Sequence, residues 1–480
     1  MSHVGVTVGS TLDIAAFTDA FLRFEVAHDL FAVTVRGESL WEHLRYSVFS
    51  ECIYAHHGYV EPKMPRVHPN HRELVEAGRV LLAEWFTPAQ PYDIIVVNYD
   101  RTNLIGGRPR NVHVFPFIQE LAESYRILLI DRRPTSLIDD DLYPCRVLRF
   151  RPFHLLDRVR SFFLRFSSRE RAAMAWIADR VQAAFDVDVD IRALSRSVFA
   201  FQLMARRRYL RLLRKYSPRV LIYADDANMK GATAAARTLG IPTVDLQHSL
   251  VSRLNILYHY PDDPRIHARS IRSDYVFTYG AFWEGEYRLP VKTVPVGFPY
   301  LEEQIEQTPP APRGRERNVI IVGMIFSKDV LVQMALDLAR LLPDHTIYYK
   351  LRMEDYADWQ QRYPPAFRTA ANLKVIDSNE TPLLEYFARC AHQVGINSTA
   401  LYEGLAFGLT TFILQTGWWA EMQALVDREA VFLVSTAEEI AARIRAGASP
   451  ARPLTRDQLF RPNSRKNLRD AIEGVFSGGL

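Results

Sequence analysis

Short apolar runs alternate with amphipathic segments from Tyr92 onward. The run YDIIVVNY at 92–99 has the continuous apolar character of a buried strand, FPFIQELAESY has a helical pattern, and RILLIDRR is a second buried run. Strand, helix and strand in succession are typical of a parallel sheet. The same order returns at 218–249, where PRVLIYADD and IPTVDLQHS flank the helical NMKGATAAARTLG. These patterns predict a doubly wound sheet in the first half of the chain.

A second series of the same kind begins at Asn318. Apolar runs typical of buried strands alternate with helical patterns there: NVIIVGMIF, HTIYYKLR, LKVID, HQVGIN and TTFIL. We therefore predict an α/β protein with two doubly wound, Rossmann-like domains, because each series is the pattern of a parallel sheet covered by helices. The predicted first domain is 1–265, with a basic helical insertion at 151–216. The second is 266–462, and 463–480 forms a C-terminal helix.

Composition supports an ordinary globular protein. The chain has 480 residues, of which 48% are hydrophobic and 24% charged. Its three cysteines are far apart and form no CxxC pair, which argues against a disulfide framework or a structural zinc site. The first residues lack the pattern of a signal peptide, and no long uncharged apolar run indicates a membrane span. We expect a cytoplasmic location.

The positive charge of the chain is concentrated in one segment. The formal net charge is +4, and arginines crowd residues 146–215. A solvated helical face explains such a cluster, and so does contact with an anionic membrane surface or a phosphorylated acceptor. The membrane alternative would make the protein peripheral on the inner face of the cytoplasmic membrane. Nucleic acid is not an expected partner, because the arginines accompany no recognised binding motif or stacking array.

The strongest chemical signal is GINSTALYEGLAFG at 395–408. A strand ends at about Ile396, and Asn397 or Ser398 can cap the helix that follows. The free N–H groups of that turn, at Ser398 and Thr399, together with the helix dipole, can bind a phosphate or pyrophosphate. Glu403, about one turn along, can accept hydrogen bonds from ribose hydroxyls. The alternative is a well-capped core helix without a ligand.

This segment resembles the donor-nucleotide helix of GT-B glycosyltransferases that build bacterial capsule, lipopolysaccharide and teichoic-acid-like polymers. AARTLGIPTVDLQHS at 235–249 resembles a strand and turn of the same enzymes, although Ser249 stands where the family usually has glycine. The resemblance implies two domains facing a central cleft, with the acceptor domain first. It implies transfer of a sugar from a nucleotide donor to a surface-glycan or glycolipid acceptor, with inversion and without a metal or cofactor.

Candidate catalytic residues lie where two strands of the first domain end. His248 ends one buried strand, and Asp225 and Asp226 end the preceding one. Neighbouring parallel strands end at one edge, so we expect these side chains to lie close together. His248, or an aspartate, would then be the base for an acceptor hydroxyl. The alternatives are a histidine bonded only to the backbone and aspartates that cap a helix.

Basic residues are candidates for holding the donor diphosphate. We expect Lys350 and Arg352 to share one face of a strand end and to stabilise the leaving group. The family usually has a Lys-x-His-Pro element at this place. Ser327 and Lys328, after the strand NVIIVGMIF, are predicted to line the same cleft. An exposed strand end is the alternative for the pair at 350 and 352.

The Gly-rich basic loop after the first strand is a candidate acceptor site. Arg101, Asn103 and Arg108 can hold an anionic group of the acceptor, although a plain surface loop has the same composition. No metal site is predicted, because the aspartates at 139–141 follow an Arg-Pro turn rather than the setting of a metal-dependent transferase. Two other functions stay open: a nucleotide-sugar 2-epimerase of the same fold, and a non-catalytic GT-B-like subunit that binds glycan or partner proteins.

Overall fold

A computed structural model describes the protein at residues 12–56, 71–98, 103–105, 108–133, 143–287, 291–308, 314–324 and 326–480. The helices are α1 Ile14–Ala27, α2 Leu40–His56, α3 His71–Phe86, α4 Val114–Leu121, α5 Arg151–Phe162, α6 Ser168–Phe185, α7 Ile191–Leu194, α8 Ala200–Tyr216, α9 Lys230–Thr238, α10 Pro264–Arg269, α11 Ala281–Glu284, α12 Pro299–Gln307, α13 Lys328–Leu341, α14 Trp359–Arg362, α15 Ala366–Thr369, α16 Leu383–Arg389, α17 Thr399–Ala406, α18 Gln423–Asp427, α19 Ala437–Arg445, α20 Arg456–Leu459 and α21 Ser464–Ser477.

The strands are short, as expected for buried strands of α/β domains. They are β1 Thr34–Val35, β2 Glu38–Ser39, β3 Ile94–Asn98, β4 Asn103–Ile105, β5 Arg108–Arg110, β6 Ile127–Asp131, β7 Arg146–Arg149, β8 Val220–Tyr223, β9 Thr243–Leu246, β10 Tyr275–Thr278, β11 Lys292–Pro295, β12 Asn318–Val322, β13 Thr346–Lys350, β14 Leu373–Ile376, β15 His392–Gly395, β16 Thr410–Leu414 and β17 Phe432–Val434.

The first sheet has seven strands in the order β11-β10-β9-β8-β3-β6-β7. Every neighbouring pair in it is parallel. The interior strand β3 is buried along its whole length, which explains why its sequence is continuously apolar rather than alternating. The doubly wound sheet predicted for the first half of the chain is therefore confirmed.

The second sheet has six strands in the order β14-β13-β12-β15-β16-β17, and its pairs are also parallel. The predicted fold class, two Rossmann-like parallel sheets with helices, is confirmed. The predicted boundary at 265/266 needs correction. Strand β10 pairs with β9 of the first sheet and β11 pairs with β10, so that sheet extends to Pro295.

Two layers of helices cover the first sheet. On one face α4 packs together with α21, whose side chains Leu468 and Ile472 are buried against strand residues such as Ile94. On the other face α8 and α9 contribute side chains to a second cluster. The C-terminal helix follows the second sheet in sequence but packs on the first. The helical insertion at 151–216 is observed as α5 to α8.

The N-terminal helices α1 and α2 do not pack on the first sheet. Phe17 and Phe21 lie in one apolar cluster with residues of α6 and of the second sheet. The backbone N–H of Ile14 donates to the carbonyl of Gly417 at 3.3 Å, and the ring of Tyr54 lies 5.9 Å from that of Phe326. These helices therefore connect the helical insertion with loops at the carboxyl edge of the second sheet.

Candidate functional site

The two aspartates after β8 have structural partners. Asp225 caps the helical turn that follows: its carboxylate accepts from the backbone N–H of Asn228 at 3.4 Å and from the Asn228 amide at 2.7 Å. Asp226 accepts from the ammonium of Lys230 at 2.9 Å and from the N–H of Ser273 at 3.1 Å. The capping alternative is thus the observed arrangement for Asp225, and Asp226 is held in an ion pair.

Lys230 connects this edge of the sheet to the N-terminal helices. Its ammonium lies 3.0 Å from a carboxylate oxygen of Glu42, and Glu42 also accepts from the hydroxyl of Tyr260 at 2.8 Å. Burial disfavours the charged ammonium, but Asp226, Tyr260 and Glu42 outweigh burial and raise the pKa of Lys230 well above its usual value. This buried network fixes Asp226 in place, and a role for Asp226 as a base stays a prediction.

A third carboxyl group lies beside these two, and the sequence analysis missed it. Asp245, inside β9, is 1% exposed. Burial, then the charges of Asp226 and Asp225, raises its pKa well above the usual value. Within the described part of the chain, its Oδ1 has no hydrogen-bond partner. Burial and the two neighbouring charges therefore favour the neutral form of Asp245, which lies where β8 and β9 end.

His248 follows β9 at the carboxyl edge, as predicted, and is buried. The proposed pairing of His248 with Asp225 stays a prediction; the Asp225 carboxylate accepts from the Asn228 amide. The ring of His113 lies 6.4 Å from the ring of His248 in an edge-on orientation. His113 is stacked on Phe298 at 5.1 Å. Two imidazoles therefore share this corner of the sheet.

His113 was not found by sequence reasoning, although a local signal marks its position. The side chain of Asn111 accepts from the backbone N–H groups of His113 at 2.9 Å and Val114 at 3.1 Å. This bond pattern caps α4 and holds His113 at the helix start. The imidazole Nδ1 of His113 lies 3.4 Å from the hydroxyl of Tyr279. The Asn-x-His spacing before an apolar helix was the available signal.

The turn that we predicted to bind phosphate follows β15 and begins α17, and phosphate binding there stays a prediction. Ser398 caps α17, since its hydroxyl accepts from the backbone N–H of Ala400 at 3.2 Å. Asn397, Ser398 and Thr399 are all half-buried, so side chains do not seal the turn completely. The amide of Asn397 donates to the carboxylate of Glu421. The helix terminus is thus accessible, with an acidic side chain beside it.

Two glutamates near this turn have raised pKa values. Burial raises the pKa of Glu403 to about 7. Burial also raises the pKa of Glu421 to about 7, against the hydrogen bond from Asn397, which lowers it. Glu421 lies after β16 in a helical turn, and the sequence analysis did not select it. Both carboxyls therefore change protonation near neutral pH and can exchange a proton with a ligand.

Lys350 and Arg352 do not share a strand face as expected, and their part in holding the donor diphosphate stays a prediction. The ammonium of Lys350 donates to the carbonyl of Ser378 at 2.7 Å and to the side chain of Asn379 at 2.9 Å. Burial lowers its pKa to about 8, although Asp377 counteracts this. Because β13 ends at Lys350, Arg352 lies beyond the strand, half exposed and 3.6 Å from Glu354. The expectation that Lys350 and Arg352 share one face of a strand is therefore wrong.

Ser327 and Lys328 lie at the start of α13, after β12. Ser327 is buried without capping the helix through its side chain. The ammonium of Lys328 lies 5.1 Å from the ring centre of Tyr363, which belongs to the outer part of the same domain. Next to them, Phe326 is stacked on Trp418 at 5.1 Å. Their part in donor binding stays a prediction.

The predicted acceptor residues are only partly described. Arg101 lies outside the described residues. Asn103 and Arg108 lie on β4 and β5, an antiparallel hairpin in which Asn103 pairs with Arg110 and Ile105 with Arg108. This hairpin follows strand β3 in the sequence. Acceptor binding at Arg101, Asn103 and Arg108 stays a prediction, and the aspartates at 139–141 also lie outside the described residues.

One aromatic cluster connects the two candidate regions. The rings of His248 and Tyr258 are 6.5 Å apart, and Tyr258 lies in the same buried cluster as Leu401 and Tyr402 of α17. Trp283, from the connection between β10 and β11, lies 4.5 Å from the ring of Tyr402. The corner that holds His248 and the helix that begins at Thr399 therefore adjoin the same interface between the two sheets.

Comparisons with known proteins give likenesses of structure only. No family model and no curated protein matches the chain. A putative UDP-N-acetylglucosamine 2-epimerase from Listeria monocytogenes aligns at 9% identity, over 82% of this chain and 98% of its own, with a TM-score of 0.47. The 2-epimerase from Neisseria meningitidis bound to UDP-GlcNAc aligns at 14% identity, over 80% and 99%, also with a TM-score of 0.47.

A MurG structure from Acinetobacter baumannii aligns at 14% identity, over 81% of this chain and 99% of its own, with a TM-score of 0.42. These likenesses are too weak to carry an argument about activity. Within the described ranges, no helix is both long and apolar enough to cross a bilayer. The same part of the chain contains no group of three or more histidine, cysteine, aspartate or glutamate residues that could hold a metal ion.

Proposed function

We propose that the chain is a glycosyltransferase that moves a sugar from a nucleotide donor to a glycan or glycolipid acceptor. The observation that carries the proposal is the turn at 397–399. It is capped by Ser398, half exposed, followed by Glu403, and adjoins the same aromatic cluster as His248. A capped helix start next to buried strands is a suitable site for phosphate groups.

The proposed roles follow from these positions. The N–H groups at the start of α17 hold the departing nucleotide phosphate, and Glu403 accepts hydrogen bonds from ribose. His248 takes the proton of the acceptor hydroxyl as that oxygen attacks the anomeric carbon, and the nucleotide leaves from the opposite side with inversion. Lys350 has carbonyl and amide partners of its own, so the helix start carries most of the phosphate stabilisation.

Nucleotide binding is the first test. We expect one of CMP, CDP, UDP or GDP to raise the melting temperature, because a ligand at 100 times its dissociation constant stabilises the native state by about 2.7 kcal/mol. Glu403→Gln should reduce that shift. Glu438→Gln, on the exposed side of α19, also removes one carboxylate charge but lies away from the turn at 397–399. It should leave the nucleotide-induced rise in melting temperature unchanged. A flat response of the wild type to all four nucleotides contradicts the proposal and favours the non-catalytic subunit.

The second test addresses His248. His248→Ala should abolish transfer to acceptor while the nucleotide-induced shift persists, because the imidazole lies on the first sheet and the nucleotide turn on the second. Unchanged turnover would remove His248 from the mechanism. Parallel measurement of His113→Ala shows whether the neighbouring imidazole, 6.4 Å away between ring centres, takes over proton transfer.

A nucleotide-sugar 2-epimerase is the second candidate. The two carboxyls with pKa values of about 7, Glu403 and Glu421, favour it, because an epimerase must remove and return protons on the sugar itself. The experiment is incubation with a nucleotide sugar alone. Appearance of the epimer without acceptor establishes this function, whereas turnover only on addition of a glycan acceptor establishes the transferase.

We also propose that the basic insertion contacts an anionic membrane surface. Phe162 and Phe163 are 76% and 72% exposed at the end of α5. They line a cavity of about 370 Å³ together with Arg165, Arg192 and Arg196. Exposed aromatic rings beside arginines are typical of interfacial contact. Phe162→Ser with Phe163→Ser should reduce sedimentation with anionic vesicles, and unchanged sedimentation would contradict the contact.

A further inference from the structure

A second arginine-rich cavity lies at the carboxyl edge of the first sheet. It has a volume of about 330 Å³, and seven polar residues contribute to its lining: Arg132, Arg151, His154, Arg158, Ser197, Gln202 and Asn228. Arg132 directly follows β6, and Asn228 lies in the helical turn after β8. The cavity is therefore formed by the same edge at which the candidate catalytic residues lie.

Three guanidinium groups contribute to this cavity, and none of the described residues that line it carries a carboxylate. The neighbouring carboxylate, Asp157, is bound by Arg208 through two hydrogen bonds of 2.7 and 2.6 Å. Burial lowers the pKa of Arg158. Arg151 and Arg158 have no ion pair among the residues that the structure describes. Their like charges line one cavity, and such an arrangement favours an anionic ligand.

His154 adds a neutral donor to the arginines. Burial, followed by the charges of Arg132, Arg158 and Arg151, lowers its pKa to about 3, so the imidazole is uncharged near neutral pH. Its Nδ1 lies 3.2 Å from a guanidinium nitrogen of Arg132. That contact makes Nδ1 the acceptor and leaves the hydrogen on Nε2. The ring can donate to an anion without adding to the positive charge.

The cavity is connected to the candidate catalytic corner through one residue. Asn228 lines the cavity, and its amide donates to the Asp225 carboxylate at 2.7 Å. Helix α5 begins at Arg151, so the positive end of its dipole adds to the attraction for an anion. A ligand group bound here would lie next to the strand end that carries Asp225 and Asp226.

We propose that this cavity binds a phosphate group of the acceptor substrate. Guanidinium forks match phosphate oxygens in geometry and charge. Assigning the phosphate to the acceptor depends on the proposed function, whereas phosphate binding itself does not. The chemistry is that of a phosphate ester or diphosphate, present either on a soluble glycan or on a lipid carrier.

The direct test is calorimetry on the full chain with inorganic phosphate and with pyrophosphate. The double variant Arg151→Gln, Arg158→Gln should weaken binding about tenfold or more, since a hydrogen bond to a charged group contributes about 1.5–3 kcal/mol. Arg160→Gln is the matched control, because Arg160 is exposed on the same helix and does not line the cavity. Equal losses in both variants, or no loss in the double variant, would overturn the proposal.

Thermal unfolding provides a readout that does not require strong binding. Without phosphate, the double variant should melt higher than the wild type, because it removes two like charges. With phosphate, the wild type should gain stability and the double variant should not. Arg151→Lys, which keeps the charge, should retain part of the gain. A double variant that melts lower than the wild type and still responds to phosphate would contradict the site.

Two further experiments address separate questions. The first identifies the source of the phosphate, and the second shows whether failure of this site and failure of the proposed function can be told apart. If the phosphate is on a lipid, vesicles of phosphatidylcholine with phosphatidic acid should bind the wild type more strongly than the double variant. If the phosphate is on a soluble glycan, only soluble pyrophosphate should distinguish the wild type from the double variant. The rise in melting temperature that a nucleotide induces should be the same in the double variant as in the wild type. Phosphate binding without any nucleotide response would leave this site standing and remove the glycosyltransferase.

Discussion

At the scale of single residues, several buried charges in this protein lie against opposite charges. Arg208 and Asp157 are the clearest example, with side chains 8% and 3% exposed and a separation of 2.6 Å. Both are on helices that pack against the first sheet, α8 and α5. Such a pair contributes little compared with apolar residues of the same shape, but loss of one partner leaves a buried charge uncompensated.

Replacing Asp157 with Asn should therefore destabilise the protein strongly. We expect the free energy of unfolding to fall by about 3–5 kcal/mol, measured by urea denaturation, because the guanidinium of Arg208 stays buried without a counter-charge. Asp337→Asn is the control. Its partner Arg340 is 72% exposed, so the loss should be about 0–1 kcal/mol. Similar losses in the two variants would show that the first pair is not buried in solution.

Glu421 gives a prediction for pH. Its native pKa of about 7 lies above the ordinary 4.5. Between those values the native state holds a proton that the unfolded state has released, so the free energy of unfolding decreases as pH rises through this window and then levels off. Glu421→Gln keeps an acceptor for Asn397 and removes the charge. It should melt higher than the wild type at pH 8, by at most about 3 kcal/mol in stability.

The difference between Glu421→Gln and the wild type should shrink as the pH falls from 8 toward 4.5, where native Glu421 is protonated. Melting curves across this range provide the measurement. Glu438→Gln, on an exposed position of α19, should show no such trend. A difference that stays constant with pH would mean that Glu421 titrates normally in the native protein.

At the scale of secondary structure, α17 lies so close to β15 that its position depends on one glycine. A Cβ built on Gly404 would approach the side-chain oxygen of Gln393 to 2.1 Å. Gln393 is fully buried and donates to the carbonyl of Leu401 and the hydroxyl of Thr411, each at 2.7 Å. Its side chain therefore cannot move aside without losing both bonds.

Gly404→Ala should displace α17 and reduce both stability and nucleotide binding. Overpacking of this kind costs about 1–3 kcal/mol, and a displaced helix also moves the turn at 397–399, which we propose binds phosphate. Gly78→Ala is the control, because nothing lies within 4 Å of a Cβ at this helical position. That substitution should be neutral or slightly stabilising. Full nucleotide affinity in Gly404→Ala would show that the turn does not depend on this contact.

The sequence predicted the individual strands better than it predicted which strands pair with each other. Buried strands such as β3 and β12 were predicted because all-apolar runs of this length have few other structures in an α/β pattern. The runs of β10 and β11 look the same, and nothing in them indicates which sheet they join. The boundary at 265/266 was wrong for that reason. Sheet membership is decided by pairing between distant segments.

The candidate site shows the same limit. Ser398 was predicted as a cap because capping is local, and the structure contains that bond. The partners of Lys350 and Asp226 are not local: Ser378 and Asn379 for the first, and a network reaching Glu42 for the second. Residue type and position along a strand gave no indication that these charges were already paired. Whether His248 is catalytic stays a prediction.

At the scale of the whole molecule, the last helix connects the two halves of the chain. The chain leaves the second sheet, and α21 then packs on the first, where Ile472 is fully buried. Glu302 of α12 accepts from the backbone N–H groups of Asn463 at 2.7 Å and Ser464 at 2.8 Å, which holds the start of this helix. The first domain is therefore complete only when the C-terminal segment has been added.

Ile472→Ala should accordingly destabilise the first sheet rather than the second. Truncation of a buried isoleucine costs about 2–5 kcal/mol, and the loss should appear as faster amide exchange in β3. Amides of β15 should be affected less, since α21 contributes no side chain to the clusters that contain that strand. Ile440→Ala, in α19 against the second sheet, is the reciprocal control and should accelerate exchange in β15 first. If both variants accelerate exchange in both sheets equally, the two domains unfold as one unit and the C-terminal helix stabilises the whole molecule.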